Sequence, residues 1–530
     1  MTEIRIEEID LLDRHPRIHR DVGTDTWALF RCGGTPVGSA RFGVSRHLSL
    51  GDAIAGAVTP RHAENALMLV IAAWMRRSRP PERFTITGAF ESLREERASD
   101  VRPALGTQSP SVSVAICSRD RPQQLARAVE AIIGTLGMRD ELLVILNAPS
   151  NAEASFDRTR FPSVRVVVED RPGLSWARNR AIAEFRGDVL LFTDDDCVPE
   201  TGWVSAHRAV FARNEEVDLV TGLVEPRELA TPAQQLFEAY GGFPRTYVRR
   251  WIAAPDLRSI AGSVGNVGEY GAGANFAVRR RVFDQIGPFD AALGPGTASG
   301  AGDDSEYLFR ALKSRMLLAI EPRAVVRHDH RREMPALMTQ VAGWSRGFAC
   351  AIERSALAFP EERPAFNAMK RQIAVGYHLR RALLYKNFRP LALAEFREMR
   401  GAEKIYQAAR MTANALVDEF ASISSDAFPD PVIASPVLQR STIERIDLQM
   451  DAFARPIYPG MDAPFVDCRL RVGDRVSGYV RFPVRHGVVG ADRLGDSMVK
   501  PAAELLVDGG WREAVAQTSR YLQAFHRAAH

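Results

Sequence analysis

The chain has 530 residues, 46% of them hydrophobic and 25% charged, and its net charge at pH 7 is only +4. The apolar content supports ordinary buried cores, and the length implies three or four domains at roughly 150 residues each. So small an excess of positive charge excludes a nucleic-acid binder that relies on a general positive field, and five scattered cysteines, none at metal or redox spacing, point to a reducing compartment.

The N-terminal MTEIRIEEID is acidic and lacks the apolar stretch of a signal peptide, and the longest apolar run, Ala66–Met75, is too short to span a bilayer. A soluble cytoplasmic protein is expected. Residues 1–105 read as a small β-rich module. IEEIDL (Ile6–Leu11) is matched in five of six positions by IERIDL (Ile443–Leu448), and RCGGTPVGSARFGV (Arg31–Val44) aligns with RVGDRVSGYVRFPV (Arg471–Val484). Each copy reads as a hairpin with a glycine-containing turn followed by a helix, so residues 440–530 are expected to repeat the N-terminal module. Two copies are too few for a solenoid. Polar segments at Leu93–Ser111 and Ser422–Ser441 read as linkers.

Residues 106–335 alternate between strand and helix. Val112–Cys117 is an apolar run of the kind buried on both faces of a parallel sheet, and Leu142–Leu146, Val164–Val168 and Val189–Thr193 read as a second, third and fourth strand. Between the first two lies a helix with Pro122 in its first turn and Leu125, Val129 and Ile132 on one face. Ser175 is expected to cap a helix running through Phe185. This alternation predicts an α/β sheet with helices on both faces, whose ligands bind beyond the C-terminal ends of its strands. Residues 336–425 read as a helical extension: Leu337, Val341 and Trp344 share a face, and a second helical stretch covers Gln372–Arg410. Arg380, Arg381, Lys386 and Arg389 make that stretch basic, either as a solvated face or as a peripheral membrane contact.

The fourth strand ends in Asp194, Asp195 and Asp196. Three adjacent carboxylates repel one another, so they belong in a solvated turn or at a site that supplies a cation. Oxygen ligands of this kind suit Mg²⁺ or Mn²⁺ shared with substrate phosphates. RPGLSWARNRA (Arg171–Ala181) sets Arg171, Arg178 and Asn179 around a glycine turn into a helix, an arrangement suited to anions. GAGANFAVRR (Gly271–Arg280) offers a close backbone approach to a strand. GAGDDSEYLFR (Gly300–Arg310) adds a second acidic cluster, and RHDHRR (Arg327–Arg332) adds His328 and His330. Each segment alone is equally compatible with a turn or a surface helix.

In this order, SVAICSRDRP, LLVILNAPS, EDRPGLSWARNRA, LLFTDDD, GAGANFAVRR, GDDSEYLFR and RHDHRR resemble the family 2 glycosyltransferases over roughly residues 110–350. The resemblance implies a GT-A-like mixed sheet with flanking helices, a nucleotide-diphosphate sugar donor (a UDP-sugar first), a divalent cofactor (Mn²⁺ or Mg²⁺), and a glycan or lipid-linked acceptor. It also implies roles. Ser118, Arg119, Asp120 and Asn147 flank the base, and Arg171, Gly173, Arg178, Asn179, Asp194 and Asp195 hold the rest of the donor. Gly273, Asn275 and Asp303 face sugar and acceptor, Asp196 and His328 bind metal, and Asp304 is the catalytic base of an inverting reaction, with Glu306 the rival. Two positions depart from the family: VILNAP has Leu146 and Asn147 where a base-contacting Asp is usual, and Asp303–Asp304 replaces a Glu–Asp pair. The alternatives are a nucleotidyltransferase, for which SRDRPQQL lacks the glycine-rich basic loop, and a silent carbohydrate-binding scaffold. The terminal repeats lie outside the resemblance.

Overall fold

The computed structural model describes residues 3–13, 24–43, 49–75, 84–98, 109–253, 270–419, 444–449, 456–459, 465–472, 475–507 and 509–528. Val44, Ile443, Gly473, Asp474, residues 99–108 of the first linker and the whole Ser422–Ser441 linker lie outside them.

At the N-terminus β1 (Arg5–Asp10) pairs in parallel with β2 (Asp25–Cys32), and β2 turns through Gly33–Gly34 into antiparallel β3 (Thr35–Gly43). Helices Leu50–Ala57 and Pro60–Met75 follow.

The central sheet begins with β4 (Val112–Ser118), β5 (Glu141–Asn147), β6 (Arg165–Glu169) and β7 (Val189–Asp194), four parallel strands in the order β7-β4-β5-β6. All seven residues of β4 are buried, because side chains alternate into two cores. Val112, Val114 and Ile116 meet Leu125, Val129 and Ile132 of helix Pro122–Ile133 on one face. Ala115 and Cys117 meet Ala177 and Ala181 of helix Leu174–Glu184 on the other. The latter helix starts one residue before Ser175: Gly173, at φ 135°, is its cap, and the Ser175 hydroxyl donates to the Leu293 carbonyl instead.

The rest of this sheet is mixed. It adds β8 (Cys197–Pro199), β9 (Leu219–Pro226), β10 (Arg250–Ile252), β11 (Asn275–Arg279) and β12 (Leu318–His328). β11 lies between β7 and β9, antiparallel to both, because it starts at the end where they finish: Asn275 pairs with Thr193. β12 runs parallel to β9 and antiparallel to β8, which brings His328 opposite Cys197, next to the aspartates. The four parallel strands read along the chain thus form one part of a nine-stranded mixed sheet, the kind the resemblance implied.

Helix Met334–Ala358 buries Leu337 and Val341 under this sheet. It also pins the start of helix Asp303–Lys313, since the cap residue Gly302 has φ 93° and a Cβ there would sit 2.3 Å from the Gly347 carbonyl oxygen. The helical stretch from Gln372 consists of a wide-turn segment Gln372–Leu379, a short helix Arg380–Leu384, and helices Arg389–Glu398 and Ala402–Glu419. Pro390 opens one of these and Gly401, at φ 72°, precedes another.

At the C-terminus β13 (Glu444–Gln449) pairs in parallel with β14 (Phe465–Val472), which also carries antiparallel β15 (Arg475–Val476) and β16 (Val480–Pro483). Helices Ala491–Leu506 and Gly510–Ala528 follow. Strand order and directions therefore repeat those of β1-β2-β3. The two ends share one core, in which Leu67, Val70 and Ile71 of the N-terminal half pack with Met498, Val499 and Leu522 of the C-terminal half. Each such side chain, fully buried, contributes about 1.5–3 kcal/mol against its exposed state. Helices cross between halves reciprocally, Leu50–Ala57 on Gly510–Ala528 and Pro60–Met75 on Ala491–Leu506, the pattern of an isologous dimer made within one chain. This composite body docks on the central domain through Ile4–Leu229 backbone pairing, Arg31–Glu200 (2.6 Å) and Gly490 N–Glu216 (2.7 Å).

Candidate active site

β4 and β7 end side by side, and the loops after them open an apolar-to-acidic change in the chain. Ser118, Arg119, Arg121, Asn147 and the three aspartates line a cleft of about 910 Å³, its open mouth included. Leu174, Pro295, Gly296 and Arg331 complete it, with Cys117 at its base. Burial pushes the Cys117 thiol up to about 12, so it is inert.

The repulsion among the aspartates is relieved one carboxylate at a time. Asp194 faces Arg178 at 3.7 Å. Asp195 accepts from the Ser118 hydroxyl at 2.7 Å and from Arg121 at 3.0 Å. Asp196 turns one oxygen to Arg121 (3.4 Å) and Arg331 (3.3 Å) and the other to His328 Nε2 (3.5 Å). Burial raises the pKa of Asp194 to about 7 in spite of Arg178, and raises that of Asp195. Burial also opposes ionisation of Asp196, but the charged groups it faces, Arg331 and Arg121, hold it below its usual range. His328 is pushed down to about 4 by burial, so its imidazole is neutral and keeps a lone pair for coordination. Its Nδ1 contacts His330 Nδ1 at 2.8 Å, and His330 Nε2 contacts Glu238 at 2.8 Å. Glu238 is fixed in helix Pro232–Tyr240, which starts with a Thr231–Gln234 capping box, and is held by both arms of Arg245.

Arg178 joins this cluster to the second acidic segment. It is 3% exposed, and its guanidinium reaches Asp303 at 2.5 Å as well as Asp194. Gly273 is required beside it, because a Cβ would lie 2.4 Å from Arg178 Nη2. The Gly273 N–H donates to Asp304 at 2.8 Å, and the Ser305 N–H donates to the other Asp304 oxygen at 2.7 Å. Asp304 is left half-buried, at the first turn of helix Asp303–Lys313.

Several residues expected at the ligand are instead part of the scaffold. Arg171 is buried, bonded to Glu169 through Nε at 2.6 Å and stacked on Trp176 at 3.9 Å. Asn179 makes a two-way bond with the Phe289 backbone, 2.9 and 2.8 Å. Asn275 is fully buried: its oxygen accepts from Trp203 and contacts His207, and its NH₂ donates to the Leu223 and Ala324 carbonyls. Asp303 is enclosed by Arg178 and does not present its carboxylate to an acceptor. Asp120, at φ 54°, holds the Ser150 N–H and hydroxyl and so ties two loops together. The Gly173 N–H donates to Asn147, whose NH₂ donates to the Arg171 carbonyl. An Asp could not make that donation, which gives the departure at this position a structural reason. Glu306 is buried, and Arg310 donates to both its oxygens, so it is withdrawn from solvent.

Arg121 and Arg331 went unselected in the sequence although both stand in the quoted motifs. The signal was available in charge alone: a site with three carboxylates needs more cations than Arg178 supplies.

Residues 110–347 match the family model described as "Glycosyltransferase like family 2". "Glycosyltransferase AglE" of Haloferax volcanii is 26% identical over 187 residues, 34% of this chain and 56% of its own length. "Pre-mycofactocin glycosyltransferase" of Mycobacterium tuberculosis is 25% identical over 237 residues, 44% of this chain and 46% of its own. The chain spans about half the length of these curated relatives. Among solved structures, glucosyl-3-phosphoglycerate synthase from Mycobacterium tuberculosis, in complex with Mn²⁺, UDP and phosphoglyceric acid, is 18% identical. It covers 47% of this chain and 78% of its own, with a TM-score of 0.32.

Proposed function

From the premise that residues 110–347 form a family 2 glycosyltransferase domain, we propose that the chain is a metal-dependent, inverting glycosyltransferase. It would transfer a sugar from a nucleotide-diphosphate donor to an acceptor hydroxyl in the cytoplasm. The observation that carries the reading is Arg178, one buried cation that brings the strand-end aspartates and the Asp303–Asp304 turn into a single site.

The donor set fits a hard cation. Asp196 and His328 offer one oxygen and one neutral nitrogen side by side, and among the described residues no third His, Cys, Asp or Glu joins them as a group. A site of two protein donors leaves room for phosphate oxygens and water, the arrangement such ions favour. A cation held there would neutralise the departing diphosphate. The remaining work falls to the chain. Arg121 and Arg331, both at the cleft mouth, give the diphosphate its cationic contacts, and Asp195 is held by Ser118 and Arg121 facing the donor. Asp304 takes the proton of the acceptor hydroxyl as its oxygen attacks the anomeric carbon. The bond from that carbon to the phosphate oxygen breaks, and its electron pair leaves with the diphosphate. Attack from the face opposite the leaving group inverts the sugar.

The test is nucleoside diphosphate release from a panel of UDP- and GDP-sugars with the intact chain. Chelator should abolish release, Mn²⁺ or Mg²⁺ should restore it, and Asp196→Ala should lose it while unfolding at a similar temperature. Full turnover in excess chelator would overturn metal dependence, and no release with any donor would overturn transfer.

A further inference from the structure

The segment from Arg371 to Arg389 carries five cations, Arg371, Arg380, Arg381, Lys386 and Arg389, and no acid. A solvated helix face would set these among other polar groups. Here the outward side is apolar as well. Val375, Tyr377, Leu383, Leu384 and Tyr385 all stand exposed, Leu383 at 68% and Leu384 at 61%. Among the described residues they are five of the twelve exposed large hydrophobic side chains, gathered within eleven positions. His378 and Ala382, one turn apart, are buried and fasten the segment to the body of the protein. Arg371, Arg380, Lys386 and Arg389 of the same segment are exposed too. No helix among the described residues is long and apolar enough to cross a membrane.

A segment whose exposed apolar side chains alternate with exposed cations, and which holds no acid, complements a surface that is anionic outside and hydrocarbon beneath. Lys and Arg near such a surface gain from its negative potential, while Leu and Tyr enter the boundary between headgroups and acyl chains. We propose that the Val375–Arg389 face docks the protein on an anionic phospholipid bilayer.

The patch also sits close to the cleft. Arg381 stacks on the Tyr240 ring at 3.6 Å and donates to the Tyr240 carbonyl. Tyr240 ends helix Pro232–Tyr240, whose Glu238 holds His330 against His328. A bilayer on this face therefore lies one helix away from the Asp196–His328 pair. The geometry thereby selects a lipid-linked acceptor over a free glycan, a consequence that rests on the glycosyltransferase reading.

Co-sedimentation of the full chain with vesicles tests the docking without requiring turnover. Binding to phosphatidylcholine vesicles carrying roughly 30% phosphatidylglycerol should exceed binding to pure phosphatidylcholine by on the order of tenfold, and should fall as salt rises. Leu383→Asp with Leu384→Asp should abolish it. Arg380→Glu with Lys386→Glu should reduce it to the level on neutral vesicles. If the leucine pair fails the circular dichroism and thermal checks, Tyr377→Ser with Tyr385→Ser replaces it. Wild-type chain that stays in the supernatant with anionic vesicles overturns the proposal, as do folded leucine variants that sediment like wild type. A dimer in light scattering that the leucine variant dissociates, with no vesicle binding, assigns the face to a second copy and overturns it too. Nucleotide release from soluble donor reads the glycosyltransferase assignment separately, and these variants leave that release unchanged.

Discussion

Replacing Arg178 by Met removes the one side chain among the described residues that touches both acidic clusters, while nearly preserving its volume. Asp303, only 3% exposed, then keeps a carboxylate with its cation gone. Breaking a buried ion pair by removing one partner costs about 3–5 kcal/mol. The aromatic contacts of the guanidinium, 5.4 Å over Phe289 and 5.9 Å over Phe192, are lost as well, but Met regains part of that packing. For a domain of this size about 4 kcal/mol lowers the melting temperature by roughly 10 °C. Asp303→Asn in the same chain removes the stranded charge. The double variant should therefore be more stable than the sum of the two single losses by about 1–3 kcal/mol. Scanning calorimetry or urea unfolding of wild type, both single variants and the double variant measures all four corners. Arg178→Met should also abolish nucleoside diphosphate release, because Asp194 and the Asp304 turn lose their common anchor. A destabilisation below about 1 kcal/mol, or strict additivity in the cycle, would refute the placement of Arg178 as the joint of the site.

Asp304→Asn keeps the shape and one of the two bonds from the Gly273 and Ser305 N–H groups, since its NH₂ cannot accept the other, and it removes the proton acceptor, so kcat should fall by on the order of 10²–10⁴ with KM for the donor little changed; Glu306→Gln should instead lower stability, since Arg310 loses a charged partner, and normal turnover in the first with loss in the second would move the base. His207 is buried beside Asn275, and burial pushes its pKa down to about 4 from 6.5. The unfolded chain therefore binds the proton first, and this residue makes stability fall as pH drops from about 6.5 to about 4, by on the order of 3 kcal/mol. His207→Gln should flatten that stretch of the stability–pH curve, and an unchanged slope would contradict a neutral buried imidazole.

Burial on both faces made the first half of the central sheet legible. Val112–Ser118 and Val189–Asp194 are mostly apolar and bounded by polar loops, the pattern of strands buried on both faces. The second half was hidden because strand direction depends on where the chain re-enters the sheet, and Gly271–Ala274 gives no sign that β11 starts at the cleft end. At the site, the aspartates, His328 and Asp304 stood out by type and order. Asn275, Asn179 and Arg171 share that chemistry, but the bonding of the two asparagines is satisfied by partners far away in sequence, Ala324 for Asn275 and Phe289 for Asn179, and that of Arg171 by its neighbour Glu169. Polarity in a motif marks a buried hydrogen-bonding node as readily as a ligand contact, and only the fold separates them. The repeat at the two ends was visible in IEEIDL and IERIDL, whereas the packing of one copy on the other was not, because the apolar face of Pro60–Met75 does not name its partner.

That shared core dictates an order of assembly. The central domain, residues 109–419, closes its sheet from segments within itself, so it can reach its folded state while the chain is still being made. The N-terminal half emerges first and yet has to hold the apolar side of Leu67, Val70 and Ile71 open until Met498, Val499 and Leu522 arrive. More than four hundred residues separate Ile71 from Met498, but lengthening a closed loop adds only about 0.6 kcal/mol per doubling, and a folded domain between them shortens the search further. The central domain thus serves as a clamp that delivers the tail to the head, and a nascent chain stalled before residue 490 is the species most in need of a chaperone.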